Sequence, residues 1–369
     1  MSVSGSRTTC LLLALAGAAG AAAGDAVRLK NGIPYEPVQI RRVRNGVIAF
    51  QLPGGKTMTR AMSDVAGVSL SELAEFNRGE SLMAEGKHEE AIRAFRGARG
   101  SARLGWQKTL IDYRLLAAEE AAGKIDQAVE RWLQIADKGR GGPGTVALRP
   151  TRLAPAKSRE NDRAIAILEA RLGKITAKAY RRAVQELLVD LYARQGQVEK
   201  ARALQLALSG QPGTRPADDG NGPEPPKAGS QSDQLRLARL SLKGKRYDEV
   251  VRIVRPRLKR FSAAELPAAL HLLGLARLEQ AKARRDPGQA RELLVDAGLN
   301  LMRVATFFGD SEEAPSALLA AGEVNERLKN VEGARSAYAA VVERYAESDA
   351  AAEAKRRLAR LKASEKTGK

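Results

Sequence analysis

The sequence predicts a mainly α protein: an array of about six helix pairs in two blocks, preceded by a small β module. Three observations carry this reading. Aromatic residues are only 4% of the 369, while Ala, Leu, Arg and Glu dominate, a balance suited to close helix-on-helix packing. Strong turn dipeptides crowd into residues 25–70. Beyond residue 70, small and aromatic residues recur at fixed helical spacings.

The chain opens with a targeting pattern. Arg7 lies in a polar stretch, Cys10 to Leu15 form an apolar block, and small residues run from Ala16 to Gly24. This is the layout of a secretory signal, with Ala21-Ala22-Ala23 as the cleavage signature and residues 1–24 removed. Cys10, the single cysteine, precedes the apolar block, so it does not sit where a lipoprotein would be acylated. A periplasmic or otherwise exported location is expected.

Residues 25–70 read as five short strands: Ala26 to Lys30, Val38 to Val43, Val47 to Leu52, Lys56 to Met62 and Val65 to Leu70. Asn31-Gly32, Asn45-Gly46 and Gly54-Gly55 between them supply the positive φ angles of tight hairpin turns. Val38, Ile40, Val43, Val47, Ile48 and Phe50 form the expected core of a small SH3-like or Sm-like barrel. Arg41, Arg42, Arg44, Lys56 and Arg60 make the module basic, but only Tyr35 and Phe50 could stack on a base. A docking role is expected, with no nucleic-acid partner.

Residues 71–208 and 233–363 carry the repeated pattern. Gly79, Ala91, Phe95 and Ala98 stand at offsets of 12, 4 and 3, and Gly322, Ala334, Tyr338 and Val341 repeat them. Small residues let two antiparallel helices approach, and the aromatic fills the groove beside them. Related segments carry Gly123, Ile125, Ala128 and Trp132, then Tyr192, Gly196, Val198 and Ala201, then Ala238, Tyr247, Val250 and Val254. A divergent copy from Leu266 to Phe308 keeps Gly274 and lengthens its second helix.

Over roughly residues 71–363 the chain resembles the tetratricopeptide repeat family. The segment FFGDSEEAPSALLAAGE, followed by AYAAVVERYAESDAAAEA, is similar to periplasmic repeat proteins of the cell envelope of the Tol-Pal type. Ala346 stands where that group usually has proline. The resemblance implies a TPR-like α-solenoid acting as a scaffold for protein–protein interactions, its concave groove lined by the first helix of each pair. Carried onto this chain, the groove positions are Asp190, Ala193 and Arg194, then Arg239, Leu242 and Lys243. Leu275, Leu278, Glu279, Glu323, Glu326 and Arg327 complete them. An envelope protein or peptide is the expected partner.

Two breaks interrupt the helical pattern. Residues 209–232 hold five Pro and five Gly and no large apolar side chain, which predicts a disordered linker between two separately moving arrays. Gly139 to Ser158 is a second break, inside the first array, and residues 364–369 are a short tail.

Catalytic signatures are absent: no HExxH, P-loop, GxGxxG or GxSxG occurs. With one Cys and two His, four-ligand Cys/His zinc sites and Cys-ligated clusters are ruled out by counting. No enzyme activity, cofactor or metal is expected. His88 is read as packing, His271 as groove-facing and solvated, and Glu89-Glu90 and Glu119-Glu120 as solvated faces. Trp132 is read as core, and Trp106 as the opening of a helix. The net charge of +19 supports an alternative, a basic protein binding anionic polymer or lipid headgroups at a membrane surface. Lys243 to Arg260, with eight basic and two acidic residues, is its best stripe.

Overall fold

Alternating apolar residues and Gly-bearing turns fold the first part of the chain into strands; amphipathic runs fold the rest into helices. The computed structural model describes residues 24–209 and 231–367, so nearly all of the expected export signal and of the expected linker lie outside the described residues. Packing divides the chain into two units, Met1–Pro150 and Thr151–Lys369. No helix among the described residues is long and apolar enough to cross a membrane.

The first unit begins with β1 (Asp25–Leu29), β2 (Pro34–Arg44), β3 (Val47–Gln51), β4 (Thr57–Ala61) and β5 (Val65–Ser69). All pairs are antiparallel, in the order β4-β3-β2-β1-β5, and a 3₁₀ turn at Met62–Asp64 separates β4 from β5. The β2–β3 turn puts Asn45 at φ 53° and Gly46 at φ 75°, as a two-residue hairpin with right-handed strand twist demands. Val38, Ile40, Val43, Ile48 and Phe50 are buried as expected, but Val47 is exposed. It sits at the mouth of the hairpin, where its side of the pleat meets solvent. Phe50 is completely buried, Tyr35 packs against its ring and Arg60 lies over Tyr35, so Phe50 offers no stacking face.

Helices α1 (Ala74–Ala84), α2 (His88–Ser101), α3 (Gly105–Ala121), α4 (Ile125–Lys138) and α5 (Pro143–Val146) complete this unit. The sheet is fixed to them by polar contacts. The Gly46 N–H donates to Tyr113 Oη at 3.0 Å, and Gly46 lies so close to the Gly144 backbone that no Cβ would fit. Asn77 of α1 exchanges two 2.8 Å hydrogen bonds with the Leu70 backbone. Arg114 of α3 binds Glu80 of α1 in a two-pronged ion pair, while Glu80 also accepts from the Val68 N–H of β5. Burial pushes the Glu80 carboxyl above its ordinary value, against the pull of Arg114.

The second unit holds α6 (Arg159–Leu172), α7 (Lys178–Arg194), α8 (Val198–Leu208), α9 (Gln231–Lys243) and α10 (Tyr247–Val254). A 3₁₀ turn over Arg255–Arg260 precedes α11 (Leu266–Ala283) and α12 (Pro287–Phe307). The unit closes with α13 (Ala314–Arg327), α14 (Val331–Arg344) and α15 (Asp349–Thr367), which runs on through most of the expected tail. Consecutive helices pack pairwise, and α9, α11, α13 and α15 also touch in turn.

The fixed spacings mark the helix crossings. A Cβ on Gly79 would lie 2.6 Å from the Phe95 ring, and one on Gly322 would lie 2.3 Å from the Tyr338 ring. The aromatic of the second helix therefore covers the glycine of its own pair. Gly274 meets Leu301 in the same way.

The division differs from the expected one. It falls at Pro150, inside the Gly139–Ser158 break, and both sides of residues 210–230 belong to the second unit. There α8 packs on α9, and buried Arg202 of α8 grips Glu249 of α10 with bonds of 3.1 and 2.6 Å. Arg182 of α7 reaches Asp233 of α9 at 2.9 Å. These contacts join the helices on either side of residues 210–230. The polar linker composition reports on residues 209–232 and is silent on the helices it joins.

Candidate functional site

The face formed by α7, α9, α11, α13 and α15 collects most of the expected groove residues. Helical periodicity puts Arg236, Arg239 and Lys243 of α9 on one side, at i, i+3 and i+7. Asp190 of α7 pairs with Arg236, which also donates to the Glu186 carbonyl at 2.6 Å. The Lys243 ammonium donates to the Ala193 carbonyl, closing the other end of the α7–α9 seam. Between them lies a cleft of about 400 Å³, lined by Val189, Asp190, Ala193, Arg236, Arg239 and Lys243 among others.

Arg239 also borders a second cleft, of about 730 Å³. Leu235, Pro267 and Ala268 supply its apolar lining, and Asp310, Glu312 and Glu313 its acidic edge. Arg239 faces Glu313 at 3.5 Å while remaining 59% exposed, so this contact leaves its guanidinium open to water. Its charge reaches His271 on α11. Burial first, and Arg239 second, push the His271 imidazole down to about 4, and its Nε2 has no hydrogen-bond partner. His271 is thus a largely buried neutral ring, not the solvated one expected.

The remaining groove residues gather at α11, α13 and α15. Lys282 lies 2.6 Å from Glu279 and 2.7 Å from Glu323. Arg327 and Arg357 also approach Glu323, at 3.3 and 3.6 Å. Burial pushes Glu323 up, but Lys282, Arg357 and Arg327 outweigh it and hold the carboxyl below its ordinary value. Glu326 accepts from the Tyr338 hydroxyl and from Arg360. The Tyr338 phenol is pushed up by burial and by Glu326.

Some expected positions lie elsewhere. Leu278 is fully buried and belongs to the core, while Leu242 and Leu275 are half-buried and pack against core clusters. Arg194 is exposed, but its Nε donates to the Ala154 carbonyl at 3.1 Å, bracing the loop ahead of α6. Of the carboxylates read as solvated, Glu89 and Glu90 are exposed, but Glu119 is completely buried in a two-pronged 2.7 Å pair with Arg131. Trp132 is completely buried and Trp106 is the second residue of α3, as expected.

Sequence reasoning missed Arg236, Lys282 and Arg357. Arg236 was legible as the i−3 neighbour of Arg239, and Lys282 as the i+3 neighbour of Glu279. Nothing in the sequence placed Arg357 beside Glu323, because that contact depends on how α15 returns over α13.

Among the described residues no group of three or more His, Cys, Asp or Glu is placed to hold a metal ion. Compared with known proteins, the chain matches no family model and no curated relative.

Proposed function

We propose that this chain is an exported, non-enzymatic scaffold of the tetratricopeptide type, with an SH3-like module at its start. It binds an envelope protein or peptide along the face of α7, α9, α11 and α13. The strand order β4-β3-β2-β1-β5 with a 3₁₀ turn before β5 supports the SH3-like reading. The glycine-under-aromatic crossings at Gly79/Phe95 and Gly322/Tyr338 support the repeat reading.

The observation that carries the function is the mixed sign of this face. Asp190 with Arg236, Arg239 with Glu313 and Lys282 with Glu323 alternate charges beside apolar cleft walls. A peptide with side chains of both signs and an apolar anchor suits such a surface; a polyanion would meet a carboxylate at every step.

One observation favours the second reading. Arg252, Arg255, Lys259 and Arg260 are exposed along α10 and the following turn, and none has a carboxylate beside it among the ion pairs described. Burial, then the charge of Arg260, lower the Arg257 guanidinium from its ordinary value, as expected where like charges crowd.

Two charge-reversal pairs separate the readings. Arg239→Glu with Lys243→Glu is expected to abolish capture of a partner from envelope extract while leaving the helical signal unchanged. Arg252→Glu with Arg255→Glu changes net charge equally and is expected to leave capture intact. Loss in the second pair alone, with loss of retention on heparin, would establish the anion-binding reading instead.

A further inference from the structure

The divergent helix pair carries a feature that the groove does not use. Its second helix, α12, runs 21 residues, against 14 for α14 and 8 for α10. Leu294, Ala297, Leu301 and Val304 bury one face of α12 in the core. The opposite face is also apolar. Val295 is 46% exposed, Leu299 56% and Met302 42%, and Phe307 at the end of the helix reaches 74%. With Thr306, the first three stand at i, i+4, i+7 and i+11, inside an arc of about 60°. Four of the eight large apolar side chains exposed among the described residues are on this one helix.

Charges flank the stripe. Glu292 and Arg303 are both exposed, and the structure gives neither an ion-pair partner. Eleven residues separate them, so they share one side of the helix within about 20°. From their spacing we infer that α12 is the contact surface for a second copy of this chain, pairing antiparallel about a two-fold axis at the level of residues 297–298.

That symmetry sets Glu292 level with Arg303 of the second copy, and repeats the pair at the other end. Val295 then falls within one residue of the level of Leu299 of the second copy, so the apolar stripes cover each other between the two ion pairs. A two-fold axis across the helices keeps each flank on its own side, which is why a Glu and an Arg on the same flank complement themselves. A parallel pairing would put the two Glu292 side chains on opposite flanks and bring neither beside an Arg303. The helix is about 31 Å long, and a stripe about 10 Å wide buries roughly 300 Å² on each copy. At about 600 Å² in total this is smaller than a stable interface, so a weak, transient dimer that forms only at high protein concentration is expected.

Sedimentation equilibrium of the full chain is expected to show a reversible monomer–dimer equilibrium as concentration rises toward the millimolar range. Leu299→Glu should leave a monomer with an unchanged melting curve, since Leu299 faces water in the monomer. Glu292→Arg and Arg303→Glu should each weaken self-association about tenfold by setting like charges together. An equimolar mixture of those two variants restores opposite charges at both ends and should associate within about threefold of the original chain. A chain that stays monomeric throughout, including one that stays monomeric but binds lipid vesicles through α12, overturns the inference. So does a dimer indifferent to Leu299→Glu, or a mixture no tighter than its single variants.

Discussion

At the scale of single residues, His271 separates the expectation from the outcome most sharply. Sequence periodicity puts it on the inward face of α11, but not how deeply α9 covers it or that Arg239 sits beside it. With its imidazole pushed down to about 4, the folded chain resists protonation that the unfolded chain accepts near pH 6.5. The unfolded state therefore binds more protons between those values, and stability rises with pH across that window and is lost on acidification. The effect amounts to at most about 3 kcal/mol. Unfolding midpoints measured between pH 4 and 7 should show this slope, and His271→Leu should flatten it. Arg239→Gln should raise the imidazole pKa in an NMR titration, because a neighbouring positive charge is gone. An imidazole that titrates near 6.5 would mean that the ring is solvated after all.

Helices and strands were more legible, because their signals are local. All five strands and the turns at Asn45-Gly46 and Gly54-Gly55 follow from turn chemistry that needs no distant partner. The crossings at Gly79, Gly274 and Gly322 were readable because only a residue without a side chain fits beneath the facing ring or leucine. Gly322→Ala would put a methyl into the Tyr338 ring, and Ala334→Leu would overfill a completely buried position; each should cost roughly 1–3 kcal/mol in denaturant unfolding. An unchanged midpoint for both would place the crossing elsewhere. Less legible was the attachment of the sheet, which depends on residues far apart in sequence: Gly46 with Tyr113, and Glu80 with Arg114. Tyr113→Phe leaves the Gly46 N–H buried without an acceptor and should cost about 1–2 kcal/mol. Arg114→Met strands Glu80 and should cost about 3–5 kcal/mol. In both variants strand amides and those of α1 and α3 should exchange faster together. Faster exchange in the strands alone would make the sheet an independent module.

At the scale of the whole molecule, composition and packing mark different breaks in the chain. Residues 209–232 look like the stronger divider because Pro and Gly are dense there, yet the boundary between packed units is at Pro150. What decides a boundary is burial across it, and Arg202 with Glu249 and Arg182 with Asp233 span the Pro/Gly segment. A protease site inserted between Gly210 and Ser230 should therefore yield two fragments that co-elute on gel filtration without denaturant. Fragments that separate would restore the division expected from composition. Helical spacing was enough to put Arg239 and Lys243 on one side of α9, whereas the burial of Leu278 depends on which helices pack over it and was not legible.

The proposed partner-binding face runs along α7, α9, α11 and α13. Hydrogen exchange of the chain with and without the partner captured from envelope extract tests it most directly. Binding should slow exchange in the cleft segments Val189–Ala193, Arg236–Lys243 and Asp310–Glu313. Protection confined to Arg252–Arg260, with none in those cleft segments, would place the partner elsewhere.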